Sequence, residues 1–202
     1  MQIITSIQSL DTQLLLFINH TMANAFFDLL MPALSSQGYL LAIPFLLAML
    51  ARGSVKKNDR GKTYLTTAIW TVLIACSSAY LSGWVEDWMK NAVMRVRPCR
   101  AIEGIRLIIP CPKSYSMPSG HAISSFAFAM PLWYLTKPYI ITMGRWFPLV
   151  LAACIAFSRI YLGVHYPADV LVGAFLGGAI GLGLSILYRS MTTEEFMKRF
   201  RR

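Results

Sequence analysis

Charge is scarce in this chain. Only 14% of its 202 residues are Asp, Glu, Lys or Arg, whereas 56% are hydrophobic and the mean hydropathy is +0.53. That balance excludes an ordinary soluble domain of this length and places the chain in a bilayer. Lys and Arg are missing altogether before Arg52. The basic n-region of a cleavable signal peptide is therefore absent, and residues 1–35 are read as part of the mature protein. No repeat of roughly 20–50 residues and no low-complexity segment is visible, so a single domain over 1–202 is the simplest organisation. A continuous basic stripe is missing too: the net charge of +10 is divided among long apolar runs, which argues against a nucleic-acid partner.

What is present is a series of apolar runs near 38–51, 63–85, 120–136, 146–163 and 168–188. Most approach the ~20 residues needed to cross the hydrocarbon core. The fold expected is all-α, an integral membrane bundle of five to six transmembrane helices with an N-terminal amphipathic helix. Ile3, Ile7, Leu10, Leu14 and Phe17 recur at helical spacing with polar residues mostly between them, the pattern of a helix lying in the interface. The alternative is a sixth span over 12–34, which would set Asn19, His20, Asn24 and Asp28 at membrane depth and require protein or water around them.

Basic residues give an orientation. With 38–51 running inward, Arg52, Lys56, Lys57, Arg60, Lys62, Lys137, Arg145, Arg189, Lys198, Arg199, Arg201 and Arg202 are cytoplasmic, twelve of the nineteen. The other seven lie within 90–113 or at Arg159, on the outer side and against the positive-inside rule. Cations placed there need another reason to exist. The last span carries Gly173, Gly177 and Gly181 at intervals of four, a stripe that permits close packing within the bundle or, alternatively, between two copies.

Three clusters share that outer side: Lys90 with Arg97 and Pro98; Pro118, Ser119, Gly120 and His121; and Ser158, Arg159, His165 and Asp169. Each has a bland reading. Lys90, Arg95 and Arg97 can anchor lipid head groups, Pro118 to Gly120 can simply start a helix, and His165 with Asp169 can be a local pair capping the last helix. Arg159 is harder to dismiss, because an arginine at the end of a span needs an anion or a path to water. Together the clusters suit phosphoryl transfer. Lys90, Arg97 and Arg159 supply positive charge, and the Ser119 hydroxyl with the amides near Gly120 supplies donors. Gly120 lets backbone approach closely. One histidine can attack phosphorus while the other protonates the leaving oxygen, and Asp169 can orient its histidine.

These residues, over 90–169, resemble the complete signature of the type 2 phosphatidic acid phosphatase superfamily, which includes bacterial membrane lipid phosphatases and vanadium haloperoxidases. The resemblance implies His165 as a nucleophile forming a phosphohistidine, Asp169 as its partner and His121 as general acid. It also implies that Lys90, Arg97, Ser119, Gly120 and Arg159 bind phosphate. No position of the signature departs from the pattern.

No cofactor is expected, and no metal: the dominant neighbours of His121, His165 and Asp169 are cations that repel a divalent ion, and Cys99 with Cys111 lacks a second paired motif for zinc. The expected activity is hydrolysis of a lipid phosphomonoester or diphosphate at the outer face of a bacterial inner membrane. Undecaprenyl diphosphate ranks first, by resemblance to short bacterial members, ahead of phosphatidylglycerol phosphate, phosphatidic acid and a lipid A phosphate. Competing readings are a non-enzymatic anionic-lipid binder or transporter, which needs the cations but not two histidines, and a haloperoxidase, which the short hydrophobic chain disfavours. The long connection 86–118 is the outer catalytic loop. Cys99 and Cys111 within it can form a disulfide in an oxidising compartment, two free thiols being the alternative. Cys76 and Cys154 lie in apolar spans and read as packing residues.

Overall fold

The computed structural model describes residues 2–58 and 62–192, and at 2–5 and 7 the backbone alone. Arg60, Lys198, Arg199, Arg201 and Arg202 lie outside the described residues, as do the side chains of Ile3 and Ile7. Among the described residues the fold is all-α, with one isolated bridge between Lys57 and Thr63. Helix α1 (Gln2–Leu16) runs into a π-helical turn, Phe17–Thr21, and the chain then breaks before α2 (Ala25–Gln37). The break has a local cause: Asn24 is extended and its side chain accepts from the Phe27 amide at 2.9 Å, an N-cap that starts a new helix. A continuous span over 12–34 is therefore ruled out. Residues 12–21 belong to the N-terminal helix, and α2 continues through a short 3₁₀ turn (Gly38–Leu41) into α3 (Ala42–Val55).

Helix α1 is amphipathic, as its spacing implied. Leu10, Leu14 and Phe17 stay exposed, while Asp11, Leu15 and Asn19 turn inward and are buried. Among the described residues four helical runs are long and apolar enough to cross a membrane: Ala25–Val55, Leu65–Ala101, Thr142–Tyr161 and Pro167–Thr192. The 38–51 run is thus the second half of a longer element. Helix α4 (Leu65–Val93) dominates the second run, and a short α5 (Pro98–Ala101) follows it; α7 (Thr142–Tyr161) and α8 (Pro167–Thr192) form the last two. The fifth apolar run is α6 (Gly120–Leu135), only 16 residues long. It need not meet lipid along its whole length, because α4, α7 and α8 enclose it and bury Ala122, Ile123, Ala127, Ala129 and Leu132.

The glycine stripe explains how α8 approaches α6. A Cβ at Gly177 would lie 2.1 Å from the Ile123 carbonyl oxygen, one at Gly181 2.6 Å from that of Ala127, and one at Gly173 2.8 Å from that of Ser119. The stripe therefore serves packing within the chain. Large apolar side chains such as Leu29, Tyr80, Leu171 and Phe175 face outward, as a lipid-facing exterior requires. Cys76 and Cys154 also face outward, so they are not packing residues.

Successive helices alternate in direction, which sends the segments 17–24, 86–119 and 162–169 to one end. At the other end Arg52 donates to the Tyr139 carbonyl at 3.3 Å, Arg145 sits 6.0 Å from the Trp133 ring centroid, and Arg189 reaches the Tyr134 hydroxyl at 3.4 Å. The 86–119 segment is moored to the N-terminal helices. Arg106 donates twice to Asp28 at 2.8 Å and to the Tyr161 hydroxyl at 2.9 Å, and Asn19 donates to the carbonyls of Arg106 and Tyr161 at 2.9 and 2.8 Å. Protein partners thereby satisfy Asn19 and Asp28. A disulfide joins Cys99 to Cys111, with Cα atoms 6.1 Å apart.

Candidate active site

Helix α4 ends because Met94 adopts a left-handed conformation (φ 50°), after which Arg95 to Arg97 run into the N-terminus of α5, with Pro98 at its first position. Arg97 is buried and fixes two loops at once. Its Nε and Nη2 donate to the carbonyl and hydroxyl of Ser114 at 2.8 and 2.9 Å, and its Nη1 donates to the Val164 carbonyl at 2.9 Å. The same Nη1 lies 2.8 Å from His165 Nε2. A guanidinium only donates, so Nε2 is the acceptor and the imidazole proton belongs on Nδ1.

His165 sits in the turn between α7 and α8. Gly163 makes that turn possible, with φ +71° and no room for a side chain, since a Cβ would meet Ile105 at 2.6 Å. His165 is 2% exposed, and burial, reinforced by the Arg97 and Arg159 charges, pushes its pKa down to about 4. The imidazole is neutral near pH 7, the form with a lone pair to give. Its Nδ1 stands 3.6 Å from Asp169 Oδ2, beyond hydrogen-bonding distance. The Asp169 carboxylate is instead held by other donors: the Ser116 hydroxyl and the Tyr166 amide (2.9 Å) on Oδ2, and Arg95 Nη1 (2.7 Å) on Oδ1.

The other expected residues gather around this pair. The Ser119 amide donates to the Asp169 carbonyl at 3.0 Å, joining the start of α6 to the start of α8. Gly120 abuts the Glu86 carboxylate, where a Cβ would fall 2.2 Å from Oε1, and Glu86 pairs with Lys90 one turn along α4. His121 lies against the Ser35 backbone, within electrostatic range of Arg159, Lys90 and Arg97. Arg159 is buried and donates to the Ser35 hydroxyl. Ser119 Oγ, Arg159 Nε and His165 Nδ1 are buried without a hydrogen-bond partner among the described residues. Two of these are donors of the kind an anion accepts.

A family model described as the PAP2 superfamily matches residues 71–193, more than half of the chain. This is a PAP2 protein. The chain is 37% identical over 109 residues to the decaprenylphosphoryl-5-phosphoribose phosphatase of Mycobacterium tuberculosis, covering 54% of this chain and 56% of that one. It is 29% identical over 180 residues to the lipid A 4'-phosphatase of Bacteroides thetaiotaomicron, covering 85% and 74%. The chain thus spans about half the length of the mycobacterial relative. Its fold is similar to the crystal structure of a transmembrane PAP2 type phosphatidylglycerolphosphate phosphatase from Bacillus subtilis, with a TM-score of 0.65, 20% identity and coverage of 94% and 89%.

Within this PAP2 chain, sequence reasoning missed Asp11, Ser35, Ser114 and Ser116. Asp11 alone left a signal, an acid on a helix whose apolar face marks it for the membrane surface. The serines carried none, because nothing in their spacing relates them to the clusters they support.

Proposed function

We propose that the chain is a metal-independent lipid phosphatase or diphosphatase that works through a phosphohistidine at His165. The observation that carries the reading is the 2.8 Å approach of Arg97 to His165 Nε2, beside the unpartnered donors Ser119 Oγ and Arg159 Nε. A phosphate oxygen accepting from Arg97 would stand next to the nucleophilic nitrogen. Lys90, Arg97, Arg159, Ser119 and the amides at Gly120 hold the phosphoryl group, with Lys90 exchanging Glu86 for it.

His165 Nε2 then attacks phosphorus. The N–P bond forms as the P–O bond to the leaving group breaks, and His121 gives its proton to the departing oxygen. Water follows: His121 takes its proton, the oxygen attacks the phosphohistidine, and inorganic phosphate leaves with the imidazole restored. Asp169 favours the Nδ1–H tautomer and the positive charge His165 gains in the intermediate. The surrounding cations repel a divalent ion, which is the ground for metal independence.

Undecaprenyl diphosphate is the substrate proposed first, supported by a relative whose substrate carries a prenyl phosphate. The relative named for lipid A keeps that class as the second reading. The site is proposed to face outward from a bacterial inner membrane, on the charge asymmetry of the loops. Phosphate release in detergent micelles tests the reading, using undecaprenyl diphosphate, phosphatidylglycerol phosphate, phosphatidic acid and lipid A, each with and without chelator. Turnover unaffected by chelator and inhibited by vanadate is expected. Absence of phosphate release from the whole panel would leave a binding protein or transporter instead.

A further inference from the structure

The buried acid Asp11 belongs to α1, outside the 71–193 segment that carries the family match. Among the described residues its carboxylate accepts two hydrogen bonds, both from the supports of the candidate site. Its Oδ2 accepts from Arg95 Nη2 at 2.6 Å, and its Oδ1 accepts from the Ala168 amide at 2.8 Å. Ala168 is the second residue of α8, so Asp11 caps that helix from a different helix, replacing the cap that a neighbouring residue usually supplies.

Arg95 is the bridge. One arm holds Asp11, the other holds Asp169 Oδ1 at 2.7 Å, and the guanidinium lies 3.9 Å above the Tyr166 ring. The planar fork engages two carboxylates from two helices, a geometry lysine's single ammonium cannot reproduce. Asp11 is 6% exposed and Asp169 fully buried, so water screens the chain of charges little. With Ser116 and Tyr166 fixing Oδ2, the pull of Arg95 on Oδ1 sets the rotation of the Asp169 carboxylate relative to His165 Nδ1.

We propose that Asp11 is a positioning residue: through Arg95 and the Ala168 amide it sets the Asp169 carboxylate against His165, making the N-terminal amphipathic helix part of the active site. The inference rests on His165 and Asp169 acting as proposed above. Asp11→Asn keeps the size and the oxygen that faces Ala168 but removes the charge that holds Arg95.

The test uses full-length protein in micelles and compares wild type, Asp11→Asn, Arg95→Lys, Asp169→Asn and the Asp11→Asn/Asp169→Asn double variant, with His165→Ala as reference. Asp11→Asn and Arg95→Lys are each expected to lower kcat about tenfold with KM within about twofold, since neither residue meets the phosphate. In the Asp169→Asn background, Asp11→Asn should cost nothing further, because its effect passes through the missing carboxylate. Unchanged kcat in both single variants, or the same loss in both backgrounds, would overturn the inference. A merely structural role would reduce the folded fraction and leave kcat per folded molecule intact. Arg95→Lys keeps the question answerable if Asp11→Asn does not fold. An active His165→Ala protein would instead reject the nucleophile assignment, a separate result.

Discussion

Arg97 Nη1 and His165 Nε2 lie 2.8 Å apart in a pocket where both side chains are buried. The contact masks the lone pair proposed as the nucleophile, so catalysis at this nitrogen would require an incoming anion to draw the guanidinium away. It also couples two chain segments 68 residues apart in sequence. The site therefore exists only once the 86–119 segment has packed against the α7–α8 turn.

Replacing His165 with Ala should abolish phosphate release while the protein still folds. Retention of a tenth of wild-type turnover, a loss of only ~1.4 kcal/mol, would reject nucleophilic catalysis at this position. His121→Ala should lose far less on a p-nitrophenyl ester than on a natural lipid, because a good leaving group needs no proton.

Burial holds His165 near pKa 4, so it should remain neutral as pH falls through 6.5 and take up a proton only around 4. Arg97→Ala admits water and removes a neighbouring charge, both of which should raise the midpoint toward the ordinary value. Histidine ¹⁵N NMR in micelles, assigned against His165→Gln, gives both numbers. A wild-type midpoint near 6.5 would contradict the buried environment.

The glycines of α8 offer a stability contrast. Gly177→Ala drives a Cβ to 2.1 Å from the Ile123 carbonyl and should destabilise by about 1–3 kcal/mol. Gly183→Ala meets nothing within 4 Å and should be neutral or stabilise by about 0.5–1 kcal/mol through helix propensity. Thermal unfolding in detergent should separate the two variants clearly, and equal melting temperatures would refute the close packing of α6 and α8.

The bond between Cys99 and Cys111 closes a loop with a sequence separation of 12 residues. Loop entropy alone suggests ~3 kcal/mol of stabilisation. Non-reducing mass spectrometry should find the linked peptide pair; alkylation of both thiols without prior reduction would disprove the bond.

Orientation is checked by single-cysteine labelling of intact cells on a background with the native cysteines replaced. An impermeant reagent should reach Gly104→Cys and not Asn58→Cys. The opposite pattern would invert the proposed topology.

The helical bundle and the convergence of three clusters were legible because each rests on local sequence. Apolar runs of fixed length mark spans, and the positions of Lys90, Ser119 and His165 at span ends send them to one face. Two kinds of feature were not legible. The break at Asn24 depends on a single cap that also fits a polar residue inside a span, so the 12–34 alternative stayed open until the backbone resolved it. The contacts of Asp11 and Ser35 are tertiary: they bring residues from before Gly38 onto Arg95, Ala168 and Arg159, across separations no periodicity encodes. Cys76 and Cys154 misled for a third reason, since in lipid an outward-facing small residue is as apolar a choice as an inward one.

The glycine stripe has a mechanical meaning for chemistry at its far end. Because α6 and α8 touch backbone to backbone over several turns, they form one stiff strut, and their relative register is fixed inside the bilayer. Ser119 and Asp169 sit at the tip of that strut, joined by a 3.0 Å bond. A slip of one residue along the helix axis, ~1.5 Å, would separate them. The accuracy with which this end would grip the phosphate proposed for it is thus set in part by side chains that glycine does not have, deep within the membrane.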